Sequence, residues 1–258
     1  MTHFFQIFFL VTFGSVVSLA LGLVLVWQQR LFQRLHLYLV AFAAGALIAT
    51  ALFDLLPEAM EGVEASGTSP ETPFMWTAAA IAIFFVFEKS LHWYHDHTGH
   101  GPEGKVTKAV VPLITLGDGL HNFIDGALIA AATLASPQLG LLTAVAVFLH
   151  EIPQEVGDFS VLIFGGLSRG TAILYNLLSA AAAYLGAFAT LILSSGATSS
   201  LTMPLVALTA GAFLFIALGE LLPELIHKER RGARTVLLTA TFIFAMVFMR
   251  YLGERLGV

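Results

Sequence analysis

The sequence predicts an all-α polytopic membrane protein in which eight transmembrane helices form one domain, 1–258, in a 3+2+3 arrangement with inverted repeats. Three observations carry that prediction. First, 57% of the 258 residues are hydrophobic and 11% charged, with a mean hydropathy of +0.85, whereas soluble domains carry about 25% charged residues. Second, the apolar residues fall into eight runs, each close to the roughly 20 residues needed to cross a hydrocarbon core of about 30 Å. Third, Asp54-Leu55-Leu56-Pro57-Glu58 near the end of the second run returns as Glu220-Leu221-Leu222-Pro223-Glu224 near the end of the seventh.

Span one, about 4–28, starts within a few residues of Met1. No small-residue cleavage site follows a short apolar core, so it is expected to be a retained helix rather than a signal peptide. Its phenylalanines, Phe4, Phe5, Phe8 and Phe9, read as lipid-facing bulk. Span two, about 36–60, ends in the first copy of the repeated pentapeptide, and span three covers about 73–94. A histidine-containing loop, about 92–106, precedes span four at about 107–134. The turn Ser136-Pro137-Gln138 leads into span five, about 139–165, and Gly165 to Gly170 lead into span six, about 169–194. Span seven, about 202–226, ends in the second copy of the pentapeptide, and span eight covers about 234–252. Pro112 and Pro153 are expected to kink spans four and five. The stretches Ala43-Ala44-Gly45-Ala46, Ala78-Ala79-Ala80, Ala130-Ala131-Ala132 and Ala180-Ala181-Ala182-Ala183 serve either as sliding surfaces or as tight packing.

Short loops rich in Lys and Arg stay on the cytoplasmic side. Arg30 and Arg34, then Lys89, Lys105 and Lys108, then Arg169, then Lys228, Arg230, Arg231 and Arg234 all fall on one side; only Arg250 and Arg255 fall on the other. Both termini are therefore expected outside the cytoplasm. On that topology the two pentapeptide copies point in opposite directions, as inverted three-helix halves around a central pair require. The loop after span two faces out and carries Glu58, Glu61, Glu64 and Glu71 with no basic residue. Such an acidic mouth concentrates cations.

Two polar stripes interrupt the apolar chain. On span four, Asp118, His121, Asn122 and Asp125 fall at i, i+3, i+4 and i+7, one face of a helix. On span five, within His150-Glu151-Ile152-Pro153-Gln154-Glu155-Val156-Gly157-Asp158-Phe159, one face carries His150, Gln154 and Asp158 and the adjacent one Glu151 and Glu155. Two such helices hide their stripes only against each other. Carboxylates at membrane depth cost several kcal/mol each, and single intramembrane hydrogen bonds return about 1 kcal/mol or less. No Lys or Arg lies near either stripe in the sequence. A bound cation therefore accounts for the stripes better than structural glue.

The chain has no cysteine, which leaves nitrogen and oxygen ligands suited to Zn(II), Fe(II), Mn(II), Cd(II) or Co(II). Asp125 or Glu151 can bridge two ions. The start His150-Glu151 is shared with the zinc-peptidase signature H-E-x-x-H, but Pro153 and Gln154 replace its end. An intramembrane metallohydrolase built on His121 and His150 is the alternative reading, and a passive cation channel lined by the same carboxylates a third.

His121-Asn122-Phe123-Ile124-Asp125-Gly126 followed by the span-five motif closely resembles the signature of ZIP (Zrt/Irt-like) divalent metal transporters, and the resemblance extends over essentially the full length. It implies a transporter, not an enzyme, that carries Zn(II) and often related ions into the cytoplasm through a binuclear site between spans four and five. By motif position it places His121, Asp125, His150, Glu151 and Gln154 at the first ion and Asn122, Asp125, Glu151 and Asn176 at the second. Gln154 stands where the nearest subgroup has a second His, and Asn176 is neutral where some relatives carry a carboxylate, so the second ion is expected to be held more loosely. The resemblance also implies a homodimer and an elevator-like motion of the metal-bearing helices.

Further groups have expected roles. His92, His95, His97 and His100 resemble the family's short histidine loop and are expected to capture metal loosely. Asp54 and Glu58 are expected to receive metal outside, and Glu220, Glu224 and His227 to release it inside. Asp118, Glu155 and Asp158 line the path or support the ligands. The expected partners are divalent metal ions, the lipid bilayer and a second copy, with no nucleic acid. The absence of a long outer domain suggests a bacterial inner membrane.

Overall fold

In hydrocarbon a backbone must satisfy its own hydrogen bonds, and an apolar run of about 20 residues does so as a helix. The computed structural model describes residues 2–98, 111–164, 166–195, 202–228 and 232–258. These residues are helical almost throughout, and no strand occurs among them. The first helix, α1, runs through Thr2–Val11, a π-helical stretch Thr12–Val17 and Ser18–Trp27. Next, α2 runs through Gln29–Thr50, π-helical Ala51–Leu55 and Leu56–Ser66. Then come α3 (Thr72–Thr98), α4 (Val111–Ala135), α5 (Pro137–Phe164) and α6 (Arg169–Ser195). The seventh, α7, runs through Thr202–Phe215, π-helical Ile216–Leu221 and Leu222–Lys228, and α8 is Ala233–Leu256. Among the described residues six helices are long and apolar enough to cross a membrane, and α3 adds the shorter apolar stretch Thr72–Val86. The protein is an all-α, polytopic integral membrane protein.

The helices follow the expected spans with two differences. The second begins at Gln29, because the polar Gln29, Arg30, Gln33 and Arg34 continue the helix beyond its apolar run. The third continues to Thr98, so the backbone of His92, His95 and His97 is helical rather than loop; residues 99–110, with His100, lie outside the described residues. Pro153 sits inside α5 as expected, but Pro112 is the second described residue of α4, where a proline displaces no bond within the described helix.

The packing carries the inverted repeat. Helices α4 and α6 lie along one another, as do α5 and α1; α2 packs on α8 and α3 on α7. Exchanging one with six, two with seven, three with eight and four with five reproduces this set of pairs. The pentapeptide copies match as well, since each begins in a π-helical stretch and passes its proline just after it. Proline lacks the N–H and crowds the carbonyl four residues back, and a wider turn before it relieves that crowding. For Pro57 that carbonyl is Phe53 O, which accepts a bond of 3.5 Å from Arg250 Nη1 on α8.

Glycines set the closest approaches. A Cβ on Gly126 of α4 would fall into the Ala183 carbonyl of α6, and one on Gly186 of α6 into the Phe123 carbonyl of α4. Gly45 meets the Phe242 carbonyl of α8, and Gly211 the Thr77 carbonyl of α3. These contacts join helices within the pairs named above, so the small residues act there as tight packing.

Gly126→Ala and Gly186→Ala should each destabilise the protein by about 1–3 kcal/mol through overpacking. Gly157 has no heavy atom within 4 Å of the added methyl, so Gly157→Ala should leave the melting temperature in detergent unchanged or raise it. Equal behaviour of the three variants would contradict the α4–α6 contact.

Candidate metal centre

The site is placed by a hairpin. Only Ser136 separates α4 from α5; its Oγ accepts from Leu139 N at 3.0 Å and so caps α5, with Pro137 in the first helical position. Gly140 lets the start of α5 pass against Thr133 of α4. With a rise of about 1.5 Å per residue, Asp125 lies roughly 17 Å from this hairpin along α4 and His150 roughly 21 Å along α5. The hairpin thus sets the two stripes at matching depth.

Four ligand atoms converge there. His121, Asp125, His150 and Glu151 each offer one nitrogen or oxygen, all within 4.8 Å of one another. The two imidazole Nε2 atoms are 3.2 Å apart, with the rings at 69°. His150 Nε2 lies 3.1 Å from Asp125 Oδ2 and 3.6 Å from Glu151 Oε1, and His121 Nε2 is 3.7 Å and 3.6 Å from the same two oxygens. A tetrahedral Zn(II) site with bonds of about 2.0–2.1 Å has ligand–ligand edges of about 3.4 Å. The geometry fits that frame.

The surrounding bonds orient the ligands. His150 Nδ1 donates to the Ala146 carbonyl at 3.2 Å, which turns Nε2 toward the cluster. The two Nε2 atoms face each other at 3.2 Å, close enough to share a proton or to hold a cation between them. His150 and Glu151 are at most 1% exposed, and neither Glu151 oxygen nor Asp125 Oδ2 has a hydrogen-bond partner. Phe213 of α7 meets the His150 ring edge to face at 6.4 Å and walls the site on that side.

The remaining predicted residues fall into separate groups. Asn122 donates from Nδ2 to Asp118 Oδ1 at 3.0 Å and accepts from Ser15 Oγ of α1 at 3.3 Å, so its side chain is committed outside the four-atom cluster. Gln154 reaches toward Asp118 as well. Asn176 is buried on α6 with Nδ2 unpartnered. Glu155 is buried and Asp158 half-buried, both within electrostatic reach of Asp118. Asp54 is 1% exposed, packed against Gly253 of α8 with neither oxygen hydrogen-bonded, and Glu58 is half-buried beyond it. Glu220 is half-buried and acts electrostatically on His150 and Asp158; His227 is exposed at the end of α7.

Two polar contacts are not legible in the sequence. His36 Nε2 at the start of α2 pairs with Glu224 Oε1 of α7 at 2.7 Å, across 188 positions of chain, and no local pattern marks His36. The π-helical turn of α1 presents Ser15 to Asn122 and to the Ala180 carbonyl; the pair Gly14-Ser15 inside an apolar run was its one trace.

Helices long and apolar enough to cross a membrane, with a buried His/carboxylate cluster between them, define the class: a polytopic membrane protein whose interior brings together four side chains able to hold a metal ion. The family model described as ZIP zinc transporter matches residues 3–112 and 100–250, and the chain belongs to this family. Similar proteins include human zinc transporter ZIP10, 42% identical over 154 residues, which is 56% of this chain and 18% of that protein. Metal cation symporter ZIP14 of Xenopus tropicalis is 30% identical over 296 residues, 86% of this chain and 62% of that protein. The zinc transporter ZIP13 homolog of Drosophila melanogaster is 31% identical over 251 residues, 75% of this chain and 70% of that protein. The chain thus spans less than a fifth of the human relative. All three are animal proteins, so they lend no support to the bacterial inner membrane expected from the compact chain.

A ligand present at a hundred times its Kd stabilises a fold by about 2.7 kcal/mol. Zn(II) at that excess should raise the melting temperature of the wild type over the protein in EDTA, and Glu151→Gln should remove most of that rise. In EDTA the same variant should melt no lower than wild type, because it deletes an uncompensated buried charge. A full zinc-dependent rise in the variant would exclude Glu151 as a ligand.

Proposed function

We propose that this chain imports divalent transition-metal ions, Zn(II) foremost, into the cytoplasm, with His121, Asp125, His150 and Glu151 holding the ion midway across the membrane. The carrying observation is the convergence of four ligand atoms around carboxylate oxygens that have no hydrogen-bond donor. Family membership and the names of the relatives as zinc transporters or a metal cation symporter support the same reading. Fe(II), Mn(II), Cd(II) and Co(II) suit the mixed nitrogen and oxygen set as well. The metallohydrolase reading is not favoured, since Gln154 stands in place of the second histidine and turns toward Asp118.

The finer reading follows the chain. Both termini face outward. Asp54 and Glu58 admit the ion, and Glu220, Glu224 and His227 pass it to the cytoplasm, where His92, His95, His97 and His100 capture it loosely. Gln154 adds to the first ion's coordination, and Asn122 and Asn176 complete that of a second ion bridged by Asp125 or Glu151. The working unit is a homodimer in the bilayer. The metal-bearing helices α4 and α5, flanked by α6 and α1, move against α2, α3, α7 and α8.

Reconstituted in proteoliposomes, the protein should take up zinc with saturation, with iron, manganese and cadmium as competitors, and His121→Ala or Glu151→Ala should abolish uptake without loss of protein from the membrane. Gln154→His should shift the preference among these metals. Uptake that does not saturate and follows the membrane potential would replace the carrier by a channel, and no uptake from folded protein would overturn transport altogether.

A further inference from the structure

The end of the bundle where α1 passes into α2 carries charge that the metal centre does not use. One residue, Gln28, joins the two helices, and α2 holds a single apolar span of 34 residues, Arg30–Val63. At about 1.5 Å per residue that is roughly 50 Å of helix, against a hydrocarbon core of about 30 Å. The excess falls at the charged ends. The first turns of α2, from Gln29 through Arg30 and Arg34 to His36, therefore run at the level of the headgroups.

These turns have two faces. Phe32 and His36 turn into the bundle: Phe32 packs on Leu25, Ile152 and Val156, and His36 bonds Glu224 of α7 at 2.7 Å. Positions 30 and 34 lie about 200° around the helix from 32, on the opposite side. Arg30 and Arg34 are both exposed there, one turn apart. Leu31 and Leu35 are exposed beside them, and Trp27 is exposed at the end of α1. No Asp or Glu precedes Asp54 in the chain, and among the described residues neither arginine makes a salt bridge. One turn further along the same stripe, Tyr38 carries the guanidinium of Arg234 from α8 over its ring, at 5.8 Å from the centroid. Arginines from two helices thus border one outward-facing surface.

We propose that this surface holds one anionic phospholipid, its phosphate bridging Arg30 and Arg34 and its acyl region lying along Leu31, Leu35 and Trp27. Residues one turn apart have Cβ atoms about 5–6 Å from each other, so two guanidinium forks reach the oxygens of a single phosphate. The exposed leucines and tryptophan select a lipid over a soluble anion, because hydrocarbon covers the leucines and tryptophan settles at the membrane–water interface. The charge also matches the leaflet. Basic ends stay on the cytoplasmic side, and the cytoplasmic leaflet carries the anionic lipid. That sidedness follows the topology proposed above, whereas the site itself does not depend on the metal reading.

The test uses the full-length protein in detergent, with dioleoylphosphatidylglycerol as the probe, dioleoylphosphatidylcholine as the neutral comparison, and native mass spectrometry to count bound lipids. The wild type should retain one phosphatidylglycerol in preference to phosphatidylcholine. Arg30→Gln and Arg34→Gln should each weaken that retention about fivefold, while Arg30→Lys should weaken it less. Arg169→Gln removes an exposed charge from the start of α6 and should leave retention unchanged. All four variants should melt with the wild type in lipid-free detergent, since the side chains changed are exposed. Equal loss in Arg169→Gln would reduce the effect to diffuse attraction and overturn the site, as would equal retention of the two lipids. Displacement of the lipid by millimolar inorganic phosphate would assign the surface to a soluble anion instead. A shift from dimer to monomer mass in the arginine variants, with lipid retention unchanged, would assign it to a second copy of the chain.

Discussion

Uncompensated negative charge at membrane depth is the constraint on which the rest of the molecule depends. Asp125 and Glu151 are buried in the bundle, and Asp125 Oδ2 and both Glu151 oxygens have no hydrogen-bond partner. Such groups cost several kcal/mol each unless a cation sits beside them. The nearest positive partners are two imidazoles, and one of them has its Nδ1 engaged by the Ala146 carbonyl and its Nε2 turned inward. In that orientation the ring, when neutral, serves as a ligand rather than a counter-ion. The cluster is therefore complementary to a divalent ion and poorly complementary to itself.

Holding such a cluster requires rigid flanks, and the packing supplies them. Helices α6 and α1 lie against α4 and α5, with Gly126 and Gly186 bringing the backbones of α4 and α6 together. The pairs α2–α8 and α3–α7 repeat that arrangement in the other half of the molecule, again with glycine facing carbonyl at the crossings. Where the two groups of helices meet, α5 runs against α2 and α4 against α7, and Phe213 of α7 abuts the His150 ring. The metal-capable cluster thus lies beside a boundary between units whose internal contacts are closer than simple side-chain packing allows. Sites at the boundary of inverted repeats are a recurrent solution in membrane carriers.

Much of this was legible in the sequence because helical periodicity fixes which residues share a face. The stripes Asp118–Asp125 and His150–Asp158 could hide only against one another, and the one-residue turn at Ser136 confirms the pairing. The repeated Leu-Leu-Pro-Glu was legible for a similar reason, since proline imposes the same backbone irregularity wherever it falls. Periodicity does not say in which direction along the helix a long side chain leans. Asn122 and Gln154 sit at the right azimuth for the cluster and yet turn to Asp118. Nor does a local pattern reach across the chain, which is why the His36–Glu224 pair and the role of Ser15 emerge only from the assembled bundle. The third helix runs past its apolar stretch to Thr98 because backbone hydrogen bonding continues into water, where the apolar run no longer marks the end.

The two pentapeptide copies end in the same local structure but not in the same surroundings. Asp54 is closed off against Gly253, with Arg250 of the same helix nearby and bonded to Phe53 O and Glu254. Glu220, its counterpart, is half-buried and within electrostatic reach of His150 and Asp158. Local sequence cannot produce that difference, because both acids precede Leu-Leu-Pro-Glu by the same spacing and stand on the same kind of turn. It arises from the surroundings of each turn: α8 presents a glycine and an arginine to the first, whereas the second packs on α2 and has His150 and Asp158 within electrostatic reach. A chain of near-symmetric halves thereby acquires two chemically distinct sides about one central cluster.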